Sequence, residues 1–272
     1  MLRLGHIQYS NCYPVHAALL REPLPSWLRL QTGVPSALNQ ALARGDIDVA
    51  PCSSIEFARH PDYRILPDLA IASDGPVGSI LLETSVPTEA LDGATVALPT
   101  ASATSVVLLR ALLERLHGLR PEYVWFDQAT GADPMDAGAA AALRIGDVAL
   151  GRRAPRGRTH VDLGDAWTRW TGLPFVYAVW QTRLGPDGNA ELARLHATLR
   201  ESRAFFRRHV ARLARDEAER FGLAPERLAA YWSSLRYELG AREREGLLRF
   251  YRLAAELGEA ELVSDLRFAL PG

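Results

Sequence analysis

The chain has 272 residues and a formal net charge of -1, room for two lobes and no basic surface of the kind that nucleic-acid binding needs. Hydrophobic residues make up 48% and charged residues 23%, as in soluble globular proteins, and no apolar run approaches the roughly 20 residues that span a bilayer. Cys12 and Cys52 lack Cys-x-x-Cys spacing and the seven histidines are scattered, so neither a disulfide framework nor a metal site is expected.

Leu2–Ile7 reads as a first strand. It lacks the charged and apolar regions of an export signal, so the expected location is the cytoplasm. A polar loop, Gln8 to Asn11, precedes a helix opened by Pro14 and running through Leu20. Leu28–Gln31 is a second strand, Pro35–Ala43 a helix with Leu38 and Leu42 on one face, and Ile47–Ala50 a third strand. This β-α-β-α-β rhythm predicts a mostly parallel sheet with helices on its faces.

Ser53–Arg59 is predicted as a short helix, and Arg64–Leu66, Leu69–Ala72 and Val77–Glu83 as strands. Thr95–Leu98 is a further strand, and Thr100 to His117 the clearest helix in the middle of the chain. Tyr123–Phe126 and Arg144–Leu150 are expected as strands of a second lobe, with an alanine-rich helix over Pro134–Ala142 between them. Val176–Thr182 carries the chain back. From Asn189 onward the pattern is helical, with Leu192, Leu195, Leu199, Phe206, Val210 and Leu213 on one face, followed by helices over Ala224–Leu235 and Arg242–Leu257. No low-complexity linker separates two lobes, which predicts paired crossover strands near Glu83–Pro87 and Tyr177–Trp180. A ligand is then expected between the lobes, beyond the carboxyl ends of the strands.

Several segments point at that cleft. Thr100-Ala101-Ser102-Ala103-Thr104-Ser105 and Pro51-Cys52-Ser53-Ser54 each put small hydroxyl residues between a strand and a helix. Such starts offer backbone N–H groups to carboxylates or phosphates, or serve as ordinary caps. Two of them facing one cleft can hold a small dianion without a basic pocket. Ser10-Asn11 ends the first strand, where Asn11 offers both donor and acceptor or simply makes a turn. Gly75-Pro76-Val77-Gly78-Ser79 is either a plain hairpin turn or a loop that lets the backbone approach a ligand and aims Ser79 at it. Ile145-Gly146-Asp147 ends a strand with a carboxylate at the second lobe's mouth, as a catalytic group or a structural hydrogen-bond hub. The aromatics of the Asp162–Trp180 stretch, Trp167, Trp170, Phe175 and Trp180, read as packing.

These residues resemble the chorismate dehydratase family of the futalosine route to menaquinone. The resemblance rests on Tyr9-Ser10-Asn11 with Pro14, Gly45-Asp46-Ile47-Asp48-Val49, Ser53-Ser54-Ile55-Glu56-Phe57, Gly78-Ser79, Ser102 with Thr104-Ser105, Ile145-Gly146-Asp147-Val148-Ala149-Leu150, and Asp162–Trp180. It departs at Ser10, where the family more often has an aliphatic residue, and at Cys12. It implies an α/β, two-lobed fold like the type II periplasmic binding proteins, with a central interdomain cleft. The lobes are expected at 1–86 with 178–272, and at 87–177. It implies chorismate as substrate, no cofactor and no metal. Asn11 and Ser79 are the implied catalytic residues; Ser10, Ser53, Ser54, Ser102, Thr104, Ser105, Gly146 and Asp147 are the implied substrate contacts. The sister enzyme 1,4-dihydroxy-6-naphthoate synthase fits less well, because it resembles a Pro-Asn-Asp-Thr motif where this chain has Ser10-Asn11-Cys12-Tyr13, and a His-Glu pair in place of Gly146-Asp147. A solute-binding protein for a small carboxylate is the reading from another class. The sequence leaves the oligomeric state open.

Overall fold

The computed structural model describes residues 1–185 and 190–271. In chain order the elements are β1 (Leu2–Ile7), α1 (Tyr13–His16), β2 (Leu28–Gly33), α2 (Pro35–Arg44), β3 (Val49–Ser53), α3 (Ser54–Arg59), β4 (Arg64–Ser73) and β5 (Ile80–Thr84). There follow β6 (Thr95–Pro99), α4 (Thr104–Arg110), β7 (Glu122–Phe126), β8 (Ala141–Ile145), α5 (Gly146–Gly151), β9 (Thr159–Asp162), α6 (Leu163–Thr171) and β10 (Phe175–Thr182). The chain ends with α7 (Ala190–Phe221), α8 (Pro225–Ser234), β11 (Leu235–Arg236) and α9 (Ala241–Glu256).

Two sheets form, in the orders β11-β4-β10-β3-β1-β2 and β7-β6-β8-β5-β9. Strand β1 runs parallel to β2 and β3, and β6 parallel to β7 and β8, as the early β-α-β rhythm predicts. The sheets are nevertheless mixed rather than mostly parallel. Strand β10 is antiparallel to β3 and β4, and β5 to β8 and β9. These are the strands that open each sheet after the chain arrives from the other one, and arrival from the far side reverses their direction. The passages lie at residues 74–79 and 172–174, earlier than the expected 83–87 and 177–180, because Ile80–Thr84 already belongs to the second sheet and Phe175–Thr182 to the first.

Other differences have local causes. The two strands expected over 64–72 are one strand, bent at Asp68, which has a φ of 59°. The first helix stops at His16 and continues as turns. The alanine-rich helix over 134–142 does not form: residues 134–138 make turns, and Ala141 and Ala142 pair in β8. Helix propensity is a weak prior, and pairing with β5 and β6 overrides it. The strand expected over 144–150 ends at Ile145, and α5 begins at Gly146. The stretch after Asp162 contains a helix, α6, that was not expected. Asn189 lies outside the described residues.

The main apolar core underlies both sheets, and a small second cluster of Ala97, Met135, Ala139 and Ala142 lies at the second sheet. Trp167, Phe175 and Trp180 are fully buried in the main core, with Trp167 edge-on to Phe175 at 5.1 Å, so the aromatic stretch is packing as expected. Gly164 is required at the join: a Cβ there would sit 2.5 Å from the Tyr177 hydroxyl and 2.7 Å from the Gly75 carbonyl. Asp162 caps α6 by accepting the N–H groups of Gly164 and Asp165. The same carboxylate accepts from Val77 and Gly78, so it also ties down the loop that carries Ser79.

Candidate functional site

A cavity lies between the two sheets. Asn11, Ser53, Ser79, Ser102, Ser105 and Gly146 line it, with Tyr9 and Tyr177 and an apolar wall that includes Ile7, Ile80, Ile145 and Ala178. Most of the polar members arrive beside a strand end, and Ser105 comes from the first turn of α4. Asn11 is in the single 3₁₀ turn after β1, Ser53 ends β3, Ser79 precedes β5, and Ser102 and Gly146 lie just beyond β6 and β8. The sequence therefore brings six of its ten candidate residues onto one cavity.

The other four face protein partners instead. Asp147 accepts the Ser10 N–H at 3.1 Å through both carboxylate oxygens and also accepts the Ser10 hydroxyl. Burial pushes the Asp147 carboxyl up, and the Ser10 hydrogen bonds oppose that shift. Thr104 accepts the Ile55 N–H at 3.2 Å, and Ser54 donates to the Val176 carbonyl at 2.8 Å. Ser10, Ser54, Thr104 and Asp147 thus join the two sheets on either side of the cavity. The Gly146 backbone is at φ 67°, and a Cβ there would meet the Tyr9 ring at 3.0 Å, so only glycine lets these two surfaces close.

The expected cleft between the lobes is present, and it is nearly closed. The cavity measures about 40 Å³, against the roughly 300 Å³ at which ligand clefts begin. A wider groove of about 640 Å³ shares Ser102 with the cavity and is lined by Arg59, Arg110, Tyr123, Trp125 and Glu259. Glu259 pairs there with Arg59 at 2.7 Å and with Arg110.

No arginine, histidine, aspartate or glutamate is among the cavity-lining residues. Polarity comes from hydroxyls, the Asn11 amide and the backbone at helix starts. Some of those starts are already satisfied: Ser102 accepts the Ser105 N–H, and the Ser79 carbonyl accepts the Gly146 N–H. Asn11 differs. Its Oδ1 is buried and accepts no hydrogen bond among the described residues. A buried polar atom left without a partner costs about 1–3 kcal/mol, a cost that a ligand donor would remove.

Behind the cavity, His6, Cys12 and His16 are buried with ligand atoms within 4.8 Å of one another, a cluster that the scattered histidines of the sequence did not announce. Trp180 Nε1 donates to His16 Nε2 at 3.1 Å, which places the His16 hydrogen on Nδ1. That hydrogen points at His6 Nδ1, 2.9 Å away. Burial lowers the His6 pKa to about 4 and holds that of His16 well below its ordinary value, so both rings are neutral. His16 therefore has no lone pair to offer a metal, and the group acts as a hydrogen-bonded support for β1 and the turn that carries Asn11.

A family profile described as "Menaquinone biosynthesis" matches residues 2–256. The chain belongs to the menaquinone biosynthesis family. Among curated relatives, the chorismate dehydratase of Thermus thermophilus is 33% identical over 264 residues, covering 91% of this chain and 93% of that one. The chorismate dehydratase of Campylobacter jejuni is 32% identical over 178 residues, 64% of each chain. Among solved structures, a protein from Archaeoglobus fulgidus aligns with a TM-score of 0.73 at 21% identity, covering 94% of this chain and 97% of that chain. The periplasmic aliphatic sulphonate binding protein of Escherichia coli aligns with a TM-score of 0.66 at 18% identity, over 96% and 93%. This member of the menaquinone biosynthesis family therefore has the periplasmic-binding-protein-like fold that the sequence motifs implied. No described helix is long and apolar enough to cross a membrane.

Proposed function

We propose that the protein is a hydro-lyase that converts chorismate to 3-[(1-carboxyvinyl)oxy]benzoate and water, acting in the cytoplasm. The observation that carries this reading is the end-to-end likeness to the Thermus enzyme, joined to a cavity whose polar lining is neutral. The ring C3 hydrogen is vinylogous to the ring carboxylate, so its removal gives a delocalised anion. The C3–H electron pair moves into the ring, the C4–O bond breaks, and the ring becomes aromatic. The departing hydroxide and the abstracted proton together make one water. The barrier lies in the deprotonation and in the charge that gathers on the ring carboxylate, where fixed dipoles stabilise the transition state more than the ground state.

No side-chain carboxylate or imidazole lines the cavity, which favours the substrate's own enolpyruvyl carboxylate as proton acceptor. Asn11 orients the leaving hydroxyl through its unpartnered Oδ1 as acceptor, or the enolpyruvyl carboxylate through its Nδ2 N–H as donor, and Ser79 assists. Ser53, Ser102, Ser105 and the Gly146 backbone surround the remainder of the substrate. The proposed lobes follow the sheets, residues 1–76 with 172–185 and 190–271, and residues 77–171, the loop at 77–79 being held to the second sheet by Asp162, and they part to admit the substrate.

The test is to incubate the purified protein with chorismate, follow the ultraviolet change of ring aromatisation and confirm loss of one water by product mass. Asn11→Ala and Ser79→Ala should each lower kcat by about a hundredfold. A well-folded Asn11→Ala protein with unchanged turnover removes Asn11 from the mechanism. Chorismate bound and recovered intact would instead make the protein a solute-binding relative of its structural neighbours.

A further inference from the structure

On the reading that Asn11 and Ser79 meet the substrate, we infer that the consecutive residues Tyr231 and Trp232 of α8 are positioning residues for both, with Tyr231 setting the direction of the Ser79 hydroxyl proton. Tyr231 is 6% exposed and Ser79 1% exposed. The Tyr231 hydroxyl donates to Ser79 Oγ at 2.8 Å. Burial holds the phenol protonated, so it remains a donor. One lone pair of Ser79 Oγ is thereby occupied, and the hydrogen of Ser79 itself has no acceptor among the described residues. It is left to point into the cavity that Ser79 lines. The serine then presents O–H, rather than a lone pair, to an anionic or departing oxygen.

Trp232, the next residue, is buried and donates from Nε1 to the Ser10 carbonyl at 2.8 Å. That carbonyl belongs to the peptide leading into Asn11. The Trp232 ring is itself held by stacking on Tyr13, with centroids 5.2 Å apart and planes 9° from parallel. Consecutive helical residues project about 100° apart, so the last turn of α8 reaches two separate strand ends at once. A buried phenol that merely satisfies its own polar atom would serve any neighbour; here the neighbour is the hydroxyl on the cavity wall.

The test uses the full chain with chorismate and compares Tyr231→Phe, Ser79→Ala and the double variant, with thermal melting as a check on folding. Tyr231→Phe should lower kcat by about tenfold, the worth of one hydrogen bond, and leave KM within about twofold, the pattern of an interaction made in the transition state. In the Ser79→Ala background it should cost nothing further. Replacement of Tyr231 by 4-aminophenylalanine restores an N–H donor at the same place and should restore turnover. Replacement by 4-fluorophenylalanine fills the same space without a donor and should not; this pair carries the test if Tyr231→Phe folds poorly. Multiplied losses in the double variant, or wild-type kcat in the folded Phe or fluoro variant, would overturn the inference. Wild-type turnover in Ser79→Ala would instead overturn the reading of Ser79 on which it stands.

Discussion

Strand β5 carries two contrasting environments three residues apart. Ile80 lines the neutral cavity, while Glu83, fully buried, sits in the densest ion cluster of the protein's described residues. Glu83 accepts from Arg152 at 2.5 Å, Arg158 at 2.8 Å and His160 at 3.2 Å. Asp133 shares Arg152 and Arg158 and adds Arg144 at 2.5 Å. Full charges are gathered where they fix shape, and the cavity works with dipoles. The difference has an energetic reason. A guanidinium in a closing cavity would have to shed water at each closure, at several kcal/mol per ion. Hydroxyls and amides already oriented by the protein need no such reorganisation.

The contrast breaks most visibly at Glu83. Glu83→Gln leaves three arginines crowded around a neutral group, and should cost about 3 kcal/mol of stability by denaturant unfolding, with kcat of the folded protein unchanged. A large loss of kcat without a loss of stability would mean that the cluster serves the chemistry after all. Acid should act on the same cluster. Burial alone would raise the Glu83 carboxyl, but the hydrogen bonds from Arg152, Arg158 and His160 outweigh it and hold its pKa at about 2, against an ordinary 4.5. Asp133 is likewise held at about 2 against 3.8, burial again opposed by Arg158 and its companions. The unfolded chain therefore binds more protons than the folded one in this range. The stabilisation is complete above about pH 4.5 and is lost as the pH falls towards 2. Melting temperature should drop steeply across that window, and less steeply in Glu83→Gln.

The smallest effect is expected at the contact beside the cavity. Asp147→Ala removes the acceptor of the Ser10 N–H and hydroxyl, a bias of about 1 kcal/mol towards the open form. Small-angle scattering should show a larger radius of gyration and steady-state kinetics a KM raised about fivefold. An unchanged radius would mean that Thr104 and Glu259 close the lobes without it.

Much of this was readable from the chain. The β-α-β-α-β start, the helices expected from Ser53 and Thr100, which begin at Ser54 and Thr104, and the strand-end placement of Asn11 and Ser53 follow from local signals that tertiary packing does not overturn. The antiparallel entry strands were not readable, because direction in a sheet depends on which lobe the chain has just left. The helix over Pro134–Ala142 failed for the opposite reason: strong local preference lost to pairing with β5 and β6. α6 announced itself, in retrospect, through Asp162 as a cap and the helical spacing of Leu163 and Trp167. The partners of the site were hidden by distance along the chain. Tyr231 lies 152 residues from Ser79, and Trp232 lies 222 from Ser10, and nothing local marks either pair.

The clamp at Asp162 has one more outcome. Since this side chain fastens residues 77 and 78 to the end of β9, Ser79 travels with the second sheet, whereas Asn11, on the turn after β1, travels with the first. Tyr231 stays with α8 and so lets go of Ser79 whenever the halves swing apart. On the proposed parting of the lobes, the reactive arrangement is dismantled at each opening and rebuilt around each guest, and a molecule too bulky to allow the halves to meet is expected to leave unchanged.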